Sequence, residues 1–374
     1  MDQKITVEQS SNELRAALKS RFTHSRLDPL GISFPFLVGP MVGLTHVAMR
    51  ELIRYYTPDE LHPLLFTEML STLRLPSERL DLADELKIGP CEKGLLIPQL
   101  LGNDEWYIER SIRKLSALSP FGYDINMGCP VKKTLRHNWG VRLMGDADYA
   151  GRVVSMTKKH SQIPVSVKMR CGLHESDVGF VSRFTDTLEE NGLDWLTIHA
   201  RSKEQKHSGS ADWQAVGKVR ARRSIPVVLN GDVQTADDAI RAMSEHQVDG
   251  VMIGRAATAR PWILWQIADR LGLGLTPKAF SPGTKPPSSA QEEGAYYLDS
   301  LLLFVDLLQR YSTNESKKLK RFKFYLITSQ KWLFYGHSFY GRCMKCKDLD
   351  EVKVFIEGFK RDVVFPMSQR ITLH

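Results

Sequence analysis

Eight short apolar runs rich in β-forming residues recur along the first two thirds of the chain: Phe36 to Val38, Leu64 to Thr67, Leu95 to Ile97, Tyr123 to Ile125, Val165 to Val167, Trp195 to Ile198, Pro226 to Leu229 and Gly250 to Ile253. Several are separated by stretches of helical period, such as Asp146 to His160, Val178 to Asn191 and Thr235 to Glu245. Strands that alternate with helices pair in parallel, because each helix carries the chain back to the start of the next strand. Eight such units are the number that closes a TIM barrel. A doubly wound open sheet is the alternative, but no GxGxxG follows the first strand to support dinucleotide binding of that kind. The predicted class is therefore α/β, a TIM (β/α)8 barrel followed by a smaller all-helical domain.

The boundaries follow from composition. With 374 residues the chain exceeds one barrel. Residues 1–30 read as an N-terminal extension and 31–271 as the barrel. Residues 272–294, with Pro277, Pro282, Pro286, Pro287 and Gly283, read as a linker. Residues 295–374 read as a helical domain, with helical spacing over Tyr296 to Tyr311, Lys317 to Tyr335 and Leu349 to Phe359. No apolar run approaches the ~20 residues of a membrane helix, and Met1 to Arg26 has no signal-type apolar core. Five cysteines, few and odd in number, suit a reducing compartment. A cytoplasmic protein without structural disulfides is expected. The net charge of +8 is concentrated: between Tyr311 and Lys347, nine lysines and arginines face the single acid Glu315, a local balance of +8. That segment reads either as a grip on a polyanion, most simply nucleic acid, or as a solvated helix face.

A barrel builds its site where strands end. Here those ends are polar: Pro40-Met41, Glu68-Met69, Gln99, Asn126 with Cys129, Lys168 with Arg170, His199 with Arg201, Asn230-Gly231-Asp232 and Gly254-Arg255. Gly231 and Gly254 follow strands seven and eight, where backbone N–H groups commonly cradle a phosphate, and Arg255 can add charge-assisted bonds. Gln99 and Asn126 donate and accept, as the amide edge of a flavin or pyrimidine requires. Lys168 would set a cation beside the charge of a reduced flavin. Cys129, between the turn formers Gly128 and Pro130, is placed to act as acid or nucleophile; taken alone it reads equally as a loop cysteine.

In this order the motifs resemble the tRNA dihydrouridine synthases, flavin enzymes that reduce uridine in tRNA. The resemblance runs from about Phe36 to Pro261, through Gly39-Pro40-Met41-Val42-Gly43-Leu44-Thr45, Thr67-Glu68-Met69, Gln99 and Asn126-Met127-Gly128-Cys129-Pro130. It continues through Val167-Lys168-Met169-Arg170, Ile198-His199-Ala200-Arg201, Gly209-Ser210-Ala211-Asp212-Trp213, Asn230-Gly231-Asp232 and Gly254-Arg255-Ala256. It implies FMN contacts at Pro40, Met41, Gln99, Lys168, His199, Asn230, Gly231, Asp232, Gly254 and Arg255. It implies uracil-side contacts at Asn126 and Arg170, with Cys129 giving a proton to uracil C5. NADPH is the implied reductant, tRNA or another structured RNA the implied partner, and no metal, membrane or protein partner is implied. The chain departs from the family pattern at Gly39, His46, Ala200, Ser202-Lys203 and the segment from Asn138 to Met144, whose Trp139 and Arg142 leave open the shape of the substrate side and which RNA position is used.

Two rival readings use the same residues. A flavin barrel acting on a small pyrimidine, of the dihydroorotate dehydrogenase kind, would share the FMN contacts but has no use for a basic C-terminal domain. A non-catalytic RNA-binding module would have no use for Cys129, and an rRNA substrate is a variant of the main reading. Cys343 and Cys346 form one CxxC without a second pair, so they read as structural; Cys91 and Cys171 read as ordinary thiols. The Tyr and Trp residues from Tyr325 to Tyr340 either stack on bases or form core.

Overall fold

Alternation along each strand decides the architecture. In the computed structural model, which describes residues 26–90, 92–362 and 365–372, eight parallel strands close into a barrel in sequence order. They are β1 Phe36–Val38, β2 Leu65–Ser71, β3 Leu96–Leu101, β4 Tyr123–Met127, β5 Val165–Arg170, β6 Trp195–His199, β7 Val227–Asn230 and β8 Gly250–Ile253. Odd positions such as Tyr123, Ile125 and Met127 of β4 are buried in the core shared with the helices. The intervening positions face inward. At the N-terminal end these are apolar: Leu37, Phe66, Ile97, Trp195, Val228 and Met252 pack as a separate cluster. Toward the C-terminal end they turn polar, with Gln99, Asp124, Ser166, Lys168 and Thr197. The barrel is thus plugged below and hydrophilic above, in layers typical of the architecture.

Seven helices return the chain around the barrel: α1 Val47–Tyr55, α2 Glu105–Leu115, α3 Ala147–His160, α4 Val178–Glu190, α5 Trp213–Arg220, α6 Ala236–His246 and α7 Ile263–Arg270. Their starts are marked by side-chain caps, Asp146 accepting from the Tyr149 N–H at 2.9 Å and Thr235 forming a capping box with Asp238. Among the described residues between β2 and β3 no α-helix forms, only the 3-10 turn Leu75–Ser77, so one unit of the ring is irregular. The register also shifts between Phe66 and Met69 of β2, a bulge of the kind that re-aims side chains beside a site.

The N-terminal and C-terminal boundaries need correction. Residues 1–25 of the expected extension lie outside the described residues, but Leu27 and Ile32 belong to the plug inside the barrel floor. The segment expected as a linker is packed: Phe280 contacts the rings of Trp265 at 5.0 Å and Tyr296 at 6.0 Å, and the Trp265 Nε1 donates to the Leu275 carbonyl at 3.0 Å. Its last residues already belong to α8 Ala290–Tyr311, opened by a capping box of Ser289 and Glu292. Gly294 lies in that helix because a Cβ there would stand 1.5 Å from the Phe365 carbonyl oxygen.

Three more helices follow, α9 Glu315–Ser329, α10 Gly336–Cys343 and α11 Leu349–Asp362. The stretch expected as one helix from Lys317 to Tyr335 breaks at Ser329 into a 3-10 turn, Gln330–Trp332, and Tyr335 takes a left-handed φ of 57° that starts α10 in a new direction. This helical layer is fastened to the barrel. The fully buried Arg260 and Glu293 form a bidentate pair at 2.9 and 2.8 Å, the Tyr325 hydroxyl donates to the Thr258 carbonyl, and α8 packs along α1. No helix among the described residues is long and apolar enough to cross a membrane.

Candidate active site

All thirteen residues expected at the site line one cleft of about 770 Å³ at the C-terminal mouth of the barrel, within the size range of small-molecule and cofactor sites. The strands place them. Parallel register sets Gln99 beside Asp124, Asp124 beside Ser166, and Asn126 beside Lys168, so their inward side chains meet across the barrel.

Those amides form a chain. The Asn126 Nδ2 donates to the Gln99 Oε1 at 2.9 Å, and the Gln99 Nε2 donates to the Asp124 Oδ2 at 2.7 Å. Ser166 donates to the other Asp124 oxygen at 2.6 Å. At the far end the Asn126 Oδ1 accepts the N–H groups of Gly128 at 3.2 Å and Cys129 at 3.0 Å. The β2 bulge supplies Thr67, whose Oγ1 accepts the Gln99 backbone N–H at 3.1 Å, and Glu68, which accepts the Gly43 N–H at 2.7 Å and so steadies the loop after Met41. Burial holds the Glu68 carboxyl above its ordinary range, partly offset by that N–H.

Electrostatics set the character of the mouth. Burial pushes Lys168 down to about 8, with Asp124 opposing the shift; no carboxylate among the described residues lies within ion-pair distance of its ammonium. Burial raises Asp124 to about 7 against the hydrogen bonds from Ser166 and Gln99. His199 is held well below its ordinary value by burial and then by Lys168, Arg170, Arg201 and His207; it stands neutral. A half-buried cation facing a cleft without its own counter-ion is costly unless a ligand answers it.

Flavin phosphate and ring fit this arrangement. A Cβ at Gly254 would meet nothing within 4 Å, so the β8 loop leaves open space beside Arg255, whose guanidinium lines the cleft without an ion pair among the described residues. At Gly231, φ is +118° and a Cβ would stand 2.9 Å from the His199 ring, so only glycine lets that loop close over the histidine. Lys168 supplies the cation, and Gln99 keeps one N–H and one lone pair free of the amide chain.

Two residues are used differently from the expectation. The Asp232 Oδ2 accepts from Arg201 at 2.7 Å and from the Ala211 N–H at 2.8 Å, so one oxygen of its carboxylate braces loops while the residue lines the cleft. Arg170 donates through Nε to the Gly128 carbonyl at 3.0 Å and through Nη1 to the Ser202 and Lys206 carbonyls, each at 2.8 Å. It clamps the Cys129 turn while lining the cleft. Cys129 itself is half-buried with a free thiol.

The departures from the family pattern have local causes. A Cβ at position 39 would stand 2.8 Å from the Met252 sulfur, so Gly39 makes room for that plug residue. His46 is buried against Phe304 at 5.9 Å, joining barrel to helical layer. Trp139 lines the cleft but is fixed in its wall: it is buried, donates to the Asn103 Oδ1 at 2.8 Å and stacks on His137 at 4.5 Å. Its neighbour Gly140 approaches the Cys129 carbonyl so closely that a Cβ would lie 2.6 Å away. The segment from Asn138 to Met144 therefore backs the Cys129 turn, while Arg142 stays exposed beside Arg136. Asp124, Met252 and His207 were not singled out by sequence reasoning. Asp124 carried a signal, a carboxylate in an apolar run at the same alternation as Asn126; His207 sits on a loop and carried none.

The basic segment is also corrected. Lys317 and Arg321 pair with Asp84 at 3.4 and 3.6 Å, Lys318 pairs with Glu315 at 2.5 Å, and Lys323 donates to the Met344 and Cys346 carbonyls at 2.9 and 2.8 Å. Lys320, Lys331, Arg342, Lys345 and Lys347 remain exposed. Tyr325 and Trp332 are core, whereas Phe324 and Tyr335 are 43% and 79% exposed. Cys343 is buried and Cys346 half-buried; no cluster of metal-ligating residues occurs among the described residues. Cys91 lies outside them, and burial pushes Cys171 up to about 12.

Residues 36–297 match the family model of dihydrouridine synthase. The chain is 33% identical over 257 residues to a probable tRNA-dihydrouridine synthase of Rhodobacter capsulatus, covering 67% of this chain and 76% of that one. It is 25% identical over 363 residues to a probable tRNA-dihydrouridine synthase of Mycobacterium tuberculosis, covering 92% and 86%. Among solved structures it is similar to histamine dehydrogenase from Rhizobium sp. 4-9 at 12% identity and TM-score 0.47, over 73% of this chain and 49% of that one, a level too low to carry a conclusion.

Proposed function

The chain belongs to the dihydrouridine synthase family, and on that premise we propose that it reduces the 5,6 double bond of uridine in tRNA to dihydrouridine, with FMN as bound flavin and NADPH as reductant. The observation that carries this reading is the meeting, in one cleft, of a free thiol at Cys129 with the half-buried cation of Lys168, which has no carboxylate at ion-pair distance among the described residues.

Gly231, Gly254 and Arg255 hold the cofactor phosphate. Pro40, Met41, Gln99, Lys168, His199 and Asn230 surround the rest, and Asp232 contributes through its backbone. Asn126 and Arg170 face the uracil. When bound, the flavin would supply a hydride for uracil C6. Cys129 gives its proton to C5, which balances that hydride as one added hydrogen molecule, and the thiolate regains a proton from water. Neutral His199 donates or accepts without adding charge beside Lys168. The base must leave its stack to reach the cleft, at a cost of a few kcal/mol. RNA held by exposed cations around the mouth offsets that cost. A free pyrimidine would have no use for those cations.

Heating the purified protein should release FMN. Cys129→Ala should slow uridine reduction in tRNA by about 10²- to 10⁴-fold, the usual range for a positioned acid, while NADPH still reduces the flavin. Release of FAD, or uridine reduction by Cys129→Ala at the parental rate, would refute the assignment.

A further inference from the structure

We propose that Asp124 is a positioning residue for Cys129: it sets the direction of the amide chain that holds the Cys129 turn. The proposal rests on the reading of the cleft as the flavin and uracil site.

The direction of the chain is fixed from its Cys129 end. At one end the backbone N–H groups of Gly128 and Cys129 can only donate, so Asn126 must show them its oxygen. Its amino group then faces Gln99, which must answer with oxygen. The Gln99 amino group is left facing Asp124, a position that must accept. Asp124 satisfies this and takes the Ser166 hydroxyl on its other oxygen. All the side chains in the chain are buried, with Asp124, Gln99 and Ser166 at 0% exposure. Asp124 and Ser166 do not line the cleft, so at that end water offers no substitute partner. One reversed amide anywhere would put two donors face to face within the chain, or at the Cys129 turn.

Ser166 makes the proposal testable, because a hydroxyl can donate or accept. In Asp124→Asn, the new amide can turn its oxygen to Gln99 and its amino group to the Ser166 Oγ, preserving the direction. In Ser166→Ala, the carboxylate still accepts from Gln99. In the double variant no arrangement satisfies every group: either the amino group of the new amide at position 124 is stranded against the methyl group at position 166, or it turns to Gln99 and the reversal runs to the Cys129 turn. The single variants should be mild and the pair severe, a non-additivity expected only of residues sharing one network.

The readout is the rate of alkylation of Cys129 by iodoacetamide in flavin-free protein, in a background with the other cysteines replaced by serine or alanine, together with the FMN dissociation constant. Each single variant should stay within about threefold of the parent in both. The double variant should change the alkylation rate and weaken FMN binding by about tenfold or more, since a stranded buried donor is worth that much or more. Thermal melting of the same variants establishes that they are folded. If the double variant fails to fold, Asp124→Leu, which keeps the branching of the side chain and removes the acceptor, must give the same change in alkylation. Additive effects in the cycle, or an unchanged Cys129 rate in the double variant or in Asp124→Leu, would overturn the proposal. Because alkylation is read without flavin, that failure is separate from failure of the flavin assignment, which would show as absent FMN binding in the parent.

Discussion

At the scale of single residues, the site is built from charges that the fold holds against their preference. Asp124 has a folded value near 7, raised from 3.8 chiefly by burial. A carboxyl whose folded value is raised binds its proton more tightly in the folded state, so it adds stability that is full below the unfolded value and lost as pH rises through the folded one. The parent should therefore lose stability between about pH 4 and pH 7 relative to Asp124→Asn, which does not titrate. Urea denaturation of the two proteins across that range checks this; a constant difference would mean that Asp124 stays ionised throughout. Lys168 acts in the opposite sense at higher pH, since its value is lowered to about 8 and neutralising it relieves a burial cost.

At the scale of elements, α9 separates cations that hold the fold from cations that face outward. Lys323 caps the carbonyls that follow α10, a place where a cation also meets the negative end of the helix. Lys323→Met should lower stability by about 1.5–3 kcal/mol, the range for hydrogen bonds made by a charged group, with little change in RNA affinity. Lys320→Ala should do the reverse, staying within about 0.5 kcal/mol of the parent in stability while weakening RNA binding. Denaturation and filter binding on both variants decide it. A large stability loss in Lys320→Ala, or none in Lys323→Met, would contradict this division.

At the scale of the whole molecule, the cleft lies between two sets of exposed cations. On one side α9 packs against the turn after β8, and its Phe324 ring presses on Gly43 in the loop after β1. On the other, Lys132, Lys133, Arg136 and Arg142 stand exposed after β4, which the closed eight-strand order places across the barrel from β8. An RNA whose base enters the cleft would meet both. Neutralising the β4 set should flatten the salt dependence of tRNA binding by about 0.7 to 0.9 in log–log slope for each phosphate that no longer meets a cation. Neutralising Lys320 and Lys331 as well should flatten it further. An unchanged slope in both cases would place the RNA elsewhere.

The order of eight apolar runs and the polar groups that end them determined the barrel and its mouth, because alternation and strand number are local properties that survive without tertiary context. Gln99, Asn126, Cys129, Lys168 and Arg255 were legible for the same reason, each standing at the end of a run. Only the tertiary structure decided which charges were already answered. Asp232 meets Arg201 from another loop, Arg170 clamps three loop carbonyls, and Lys317, Lys318, Arg321 and Lys323 are already paired with groups of the fold. The packed strap before α8 and the break of α9 at Ser329 belong with these. In each case the deciding partner lies elsewhere on the folded surface, and composition along the chain carries no record of distances across it.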